Sequence, residues 1–117
     1  MRTLCIPYCE NLNFSPGAVA DINIYRWQEN NYTPKAQAQL CYNQSALAVR
    51  LIAQEANPGA IIQEDGGAVW TDSCLEFFVH PESDPRYLNF EINSLGKTLL
   101  SFGDRPNPGR ISLIGKY

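Results

Sequence analysis

Positive charge, histidine and helical periodicity are all scarce in this chain, and each scarcity removes a class of function. Nine Lys and Arg stand against twelve Asp and Glu, for a net charge of −3 and a pI near 5.0. The basic residues are dispersed, so no stripe exists to track a phosphate backbone, and nucleic acid is excluded as a partner. His80 is the single histidine, and Cys5, Cys9, Cys41 and Cys74 lack the spacing of a zinc site. Cys41 and Cys74 fall in apolar, strand-like runs where a free thiol packs as a small hydrophobe. Free thiols are therefore the first reading of the cysteines, and disulfides the second. No apolar run reaches the roughly 18 residues of a membrane-spanning helix. The opening MRTLCIPYCEN has one Arg and none of the apolar stretch of about 7–15 residues that a secretory signal needs. With Met1 as the natural start the expected location is cytoplasmic; with an earlier, processed start it is secreted. A length of 117 residues fits one domain spanning residues 1–117, able to bury about two-thirds of its unfolded surface.

What the chain does contain is alternation. In AQAQLCY (36–42), Ala36, Ala38, Leu40 and Tyr42 share one face, with Gln37, Gln39 and Cys41 opposite. In LAVRLIA (47–53), Leu47, Val49, Leu51 and Ala53 oppose Ala48, Arg50 and Ile52. Period-two patterns around Asn43-Gln44-Ser45 predict an antiparallel hairpin. DINIYRW (21–27) reads as an earlier strand, leaving the Ser15-Pro16-Gly17 turn. A Gly-, Pro- and Asn-rich loop (56–68) follows. WTDSCLEFFVH, YLNFEIN (87–93), KTLLSF (97–102) and ISLIGKY then read as strands, broken by PESDPR, SLG and DRPNPG. No amphipathic helix and no internal repeat interrupts this series. Short strands with turn signals between them predict an all-β, antiparallel β-sandwich or barrel.

Glu76 is the anomaly in this pattern. The strand 73–80 carries Ser73, Leu75, Phe77 and Val79 on one face and Cys74, Phe78 and His80 on the other. This reads as a strand covered on both sides, either central in its sheet or lining a sandwich whose second face is also occupied, with Glu76 where water is limited. An unpaired carboxylate there costs several kcal/mol, of order, or takes up a proton. A hairpin closing symmetrically about Ser83 and Asp84 sets Glu76 opposite Glu91, Cys74 opposite Asn93, Phe78 opposite Asn89 and His80 opposite Tyr87. Like charges in register demand a partner: a cation, an Arg such as Arg50, a shared proton, or the hydroxyl groups of a ligand. The plainer alternative is an ion-pair network with Arg50 or Lys97. Trp70, just ahead of the strand, serves either as a lid on the core or as the aromatic face on which a pyranose packs.

The run Val69-Trp70-Thr71-Asp72-Ser73-Cys74-Leu75-Glu76-Phe77-Phe78, followed by Tyr87-Leu88-Asn89-Phe90-Glu91-Ile92-Asn93 and Gly96, resembles the carbohydrate-binding module family 9-like domains. These are immunoglobulin-like β-sandwiches of the DOMON-like group, and the resemblance covers residues 18–103. It implies a non-catalytic module in which Trp70 stacks on a sugar and Glu76 accepts its hydroxyls. Glu91 and Asn93 fall on two further sugar-contacting positions, the first of which is commonly Arg in the family. Such domains run longer, so the resemblance implies that residues 1–117 are the N-terminal portion of one. The expected partners are therefore a mono- or oligosaccharide together with either a second copy of the chain or a C-terminal segment. A structural calcium ion, common in the family, has Asp65, Asp72 and Asp84 as candidate loop ligands; no other cofactor is implied.

Two other functions compete with sugar binding. A glycosidase using Glu76 and Glu91 would find its opposed carboxylates near the ~5–5.5 Å separation of retaining enzymes, but a small sandwich without long loops encloses little substrate. A structural or protein-interaction sandwich that has lost its ligand is the alternative favoured by Glu91 and by the second sugar-sandwiching aromatic, which the resemblance places in the C-terminal part that lies past residue 117. Haem binding, found in some DOMON-like domains, needs Met and His axial ligands, and Met1 and His80 are the whole supply.

Overall fold

A computed structural model describes residues 3–25, 31–80, 83–103 and 109–111. The fold is all-β with two antiparallel sheets, as the sandwich class requires. Strands β1 (Ala18–Ile22), β2 (Lys35–Tyr42) and β3 (Leu47–Gln54) form the first, in sequence order. One 3₁₀ turn, Val69–Thr71, precedes β4 (Cys74–Val79), β5 (Tyr87–Asn93), β6 (Thr98–Gly103) and β7 (Gly109–Ile111), which form the second, also in order. The chain divides into two compact units, Met1–Ala56 and Asn57–Tyr117, with one sheet in each.

In the first unit the alternation is realised residue for residue. Ala38 lies opposite Leu51 and Leu40 opposite Val49, while Ala20 faces Ala38 from β1. One face of the sheet is thus aliphatic, and Ala38 and Leu40 are buried. Asn43 makes the hairpin turn because its Oδ1 accepts from the N–H groups of Ser45 (2.9 Å) and Ala46 (3.0 Å). On the opposite face Arg50 donates to Gln39 Oε1 and lies 4.5 Å over the Phe14 ring. Neither Arg50 nor Lys97 forms a salt bridge among the described residues, so the ion-pair network expected around Glu76 is not formed by them. The strand predicted over 21–27 starts earlier, at Ala18, and ends at Ile22; Trp27 lies outside the described residues.

In the second unit the expected register holds: Cys74 pairs with Asn93, Glu76 with Glu91 and Phe78 with Asn89. Leu75, Phe77 and Val79 share a face with Leu88, Phe90 and Ile92, and the rings of Phe77 and Phe90 are 6.4 Å apart. The other face carries Cys74, Glu76 and Phe78 on β4, and Asn89, Glu91 and Asn93 on β5. Leu99 and Ser101 of β6 extend it.

The expected central position of β4 is corrected. Among the described residues β4 is the first strand of its sheet, with β5 as its one neighbour, and Glu76 and Phe78 are both exposed. Counting Cys, Phe and His as apolar made both faces of the strand look covered. All four cysteines are free thiols, with Cys9 and Cys41 buried, Cys74 partly buried and Cys5 exposed.

Candidate functional site

The site lies at the junction of the Gly-rich loop and β4–β5. Two residues weld that loop to the sheet. Asp72 ends the 3₁₀ turn, and its carboxylate accepts from the N–H of Ile61 (2.9 Å) and of Ile62 (3.0 Å) and from Asn93 Nδ2 (3.0 Å). The Ile61 N–H is the foremost reason its carboxyl sits below the usual Asp range; partial burial opposes the shift, and the Ile62 and Asn93 bonds add to it. Ser73 reinforces the weld, its N–H donating to Gly59 O (2.9 Å) while its Oγ accepts from Gly59 N–H (3.0 Å).

Asn93, 4 % exposed, is the second weld. Besides Asp72, its Nδ2 donates to Ile62 O (2.9 Å), and its Oδ1 accepts from the N–H groups of Leu95 (3.1 Å) and Lys97 (2.9 Å). Two donors and two lone pairs are the whole capacity of an Asn amide, and all four are engaged. The Lys97 bond helps to close the Asn93–Gly96 turn, which needs a positive φ at Gly96 (75°). Asn93 therefore holds the loop, the 3₁₀ turn and the β5–β6 turn in one geometry.

That frame carries Trp70 on the 3₁₀ turn with 49 % of its surface exposed. A Trp at this position was open to two readings, and half-exposure separates it from a buried core lid. Beyond the frame, Glu76 is exposed and has no hydrogen bond or ion pair among the described residues. Glu91, directly across the ladder, is half-buried and accepts from Asn89 Nδ2 (2.8 Å) on Oε1. The two carboxylates differ in solvation, and the exposure of Glu76 corrects the expectation that water is limited there. Their joint charge is felt at Cys74: burial first, then Glu76 and Glu91, push its thiol up to about 11.

The far end of this face is aromatic. Phe78 is 50 % exposed, and its ring centroid is 5.8 Å from that of Tyr87, with the planes tilted by 39°. Asn89, opposite Phe78, is 7 % exposed, and its Oδ1 is buried without a hydrogen-bond partner. The period-two pattern had put Phe78, Tyr87 and Asn89 on the face of Glu76. What the sequence did not signal is that Phe78 stays open to solvent, since an apolar residue in an apolar strand reads as core.

The candidate calcium ligands are apart in their bonding. Asp65 Oδ1 accepts from Thr98 N–H (2.9 Å). Asp84 is held by Arg86, whose side chain bonds both its oxygens (2.9 and 2.7 Å), lowering its carboxyl to about 2. Asp72 is engaged as described. Among the described residues no group of three or more His, Cys, Asp or Glu side chains is placed to hold a metal ion.

Comparison with known proteins gives the family. The profile of carbohydrate-binding family 9 matches residues 9–113. None of the curated proteins matches the chain. Among solved structures, the chain is similar to a protein of Bacteroides uniformis ATCC 8492 proposed to bind carbohydrate, with 29 % identity and a TM-score of 0.75. That similarity covers 86 % of this chain and 47 % of the other, so the chain spans about half the length of that protein. With its family profile matched from Cys9 through the third residue of the ISLIGKY segment, the chain belongs to carbohydrate-binding family 9.

Proposed function

We propose that the chain is a non-catalytic carbohydrate-binding module in which a sugar ring stacks on Trp70 while Glu76 and Glu91 accept its hydroxyls. The observation that carries this reading is the exposed, unengaged carboxylate of Glu76, on the strand that follows a half-exposed Trp70. An open carboxylate on the strand that Trp70 leads into suits a ligand with many hydroxyls. Asn93 acts in this scheme through position, because its amide is already saturated. It fixes the turn that presents Trp70, and any sugar contact it makes is shared with those internal bonds.

Binding rather than hydrolysis fits the solvation of the two carboxylates. Glycoside cleavage needs an acid kept protonated by a dry environment and a second carboxylate facing it across the scissile bond. Glu76 is exposed to solvent, not enclosed across a scissile bond.

A hydrogen bond to a charged group contributes roughly 1.5–3 kcal/mol, and an aromatic stack about 0.5–1.5 kcal/mol beyond its buried area. After the cost of immobilising the sugar, an affinity of order millimolar, about −4 kcal/mol, is expected. The test is titration with glucose, xylose, cellobiose and xylobiose, followed by tryptophan fluorescence and calorimetry. Trp70→Ala and Glu76→Gln should each abolish saturable binding while leaving the fold intact. No saturable signal from the folded wild-type chain with any of these sugars would sink the reading and leave a structural or protein-interaction domain in its place.

A further inference from the structure

The aromatic end of the β4–β5 face has no role in holding a sugar on Trp70. Phe78 leaves half its surface in water, on a strand whose other large apolar residues, Leu75, Phe77 and Val79, are partly buried on the opposite face. Tyr87 lies beside it at 5.8 Å between centroids. The two rings form a shallow apolar surface about two side chains wide. It is bordered by polar groups: the exposed Glu76 is two residues back along β4, and Glu91 and Asn89 are on β5.

Distances along the strand decide what fits. Successive residues on one face of a strand are about 7 Å apart, so the Phe78 ring begins roughly one sugar unit beyond the Glu76–Glu91 pair. Trp70 belongs to the other end, tied through Asp72 to Asn93, and Asn93 is the partner of Cys74, not of Phe78. In chain order and ladder register the carboxylate pair therefore falls between the end entered from Trp70 and the end that carries Phe78. Asn89 adds a second, independent observation: its Nδ2 is held by Glu91 (2.8 Å), while its Oδ1 is buried and unpartnered directly across from Phe78. Buried polar atoms in native proteins are rarely left without a partner. A hydroxyl placed at the edge of the Phe78–Tyr87 surface, with a small swing of the exposed Phe78 ring, supplies one.

We infer that Phe78 and Tyr87 form the floor of a second sugar subsite, on the far side of Glu76 and Glu91 from Trp70, so that the ligand is a saccharide of at least two units. A pyranose matches this surface because its C–H face is apolar and its rim is hydroxylated. An apolar peptide would leave Glu76 desolvated, and an anionic ligand would meet two carboxylates. The inference rests on the reading of Trp70 and Glu76 as the first subsite, and the experiment separates the two.

The full chain is titrated calorimetrically with glucose and xylose, then with cellobiose, xylobiose and cellotriose, as wild type, Phe78→Ala, Phe78→Tyr and Trp70→Ala. In wild type at least one disaccharide should bind about fivefold more tightly than its monosaccharide, the worth of one additional aromatic stack. Phe78→Ala should erase that gain and leave monosaccharide affinity unchanged, and Phe78→Tyr should retain it. Backbone amide spectra of the wild type give a readout that needs no variant: disaccharide, but not monosaccharide, should shift the signals of Phe78, Tyr87 and Asn89. Monosaccharide binding that depends on Trp70, with no gain for any disaccharide and no shift at those three residues, overturns the second subsite and leaves the first standing. A Phe78→Ala variant that loses mono- and disaccharide affinity equally also overturns it. An absence of binding by every sugar in wild type overturns both.

Discussion

Strand β5 carries an asparagine at each end of the same face, and the two ends behave differently. At the loop end, Asn93 makes four hydrogen bonds that join the Gly-rich loop, Asp72 and the β5–β6 turn. At the aromatic end, Asn89 donates to Glu91 and keeps an unpartnered acceptor beneath a half-exposed Phe. Residue type, strand, face and burial are shared; the neighbours are not. At the loop end two backbone N–H groups of the β5–β6 turn, the Ile62 carbonyl and the Asp72 carboxylate converge on the amide and consume its capacity. The aromatic end faces a short edge strand whose side chains cannot. The difference separates a rigid support from a surface with hydrogen-bonding capacity to spare.

The sharpest way to break this comparison is to truncate both amides. Asn93→Ala strands the Leu95 and Lys97 N–H groups and the Ile62 carbonyl, and leaving such groups unpaired costs about 1–3 kcal/mol each before relaxation. A loss of about 3 kcal/mol in urea denaturation is expected. Asn89→Ala removes one hydrogen bond and an acceptor already unpaired, for about 1 kcal/mol. Equal losses would mean that the two ends are not distinct.

Gly96→Ala probes the support end alone. Its φ of 75° is left-handed backbone, where open space surrounds the missing Cβ. The strain is therefore conformational, about 1 kcal/mol, visible as a small fall in the denaturation midpoint with the slope unchanged.

Acid should loosen the support end before the aromatic end. Asp72 has its carboxyl held below the ordinary 3.8, so the folded state binds that proton less readily than the unfolded chain. Its contribution is complete above the unfolded value and is lost as pH falls through the lowered one. Thermal melts taken from about pH 6 down to about pH 2 should show a decline that Asp72→Asn flattens. Amide exchange at Ile61 and Ile62 should rise first.

The smallest effect is on the alkaline side. Cys74 is raised from 9.0 to about 11, so the folded state keeps a proton that the unfolded chain has released. Its contribution is present below 9.0 and is lost as pH rises toward 11. Alkylation of Cys74 in the native chain should accelerate only as pH nears that upper value. In Glu76→Gln the onset should move down, because one of the negative charges opposing the thiolate is gone.

Much of the fold was legible before any coordinates. Alternation in 36–42 and 47–53 specified both strands and their hairpin, because a one-residue slip would turn Ala38, Leu40, Val49 and Leu51 outward. The same logic, with the turn at Ser83 and Asp84, placed Glu76 opposite Glu91. The position of β4 within its sheet was misread, since a strand's own residues record what is apolar and not whether a neighbour covers it. Phe78 looks the same in sequence at an edge as at a centre.

The amino-acid sequence by itself thus determined the all-β class, the pairing of β4 with β5 and the shared face of Glu76, Glu91 and Asn93. Each follows from local periodicity and turn chemistry, which act over a few residues. Solvation and hydrogen-bond assignment were decided by tertiary structure alone. Asn93 became a support because Ile62 and Asp72, distant in sequence, converge on it. Glu76 and Phe78 are exposed although their strand is rich in apolar residues. Burial and partner choice depend on groups brought together across long stretches of chain, and no local pattern encodes them.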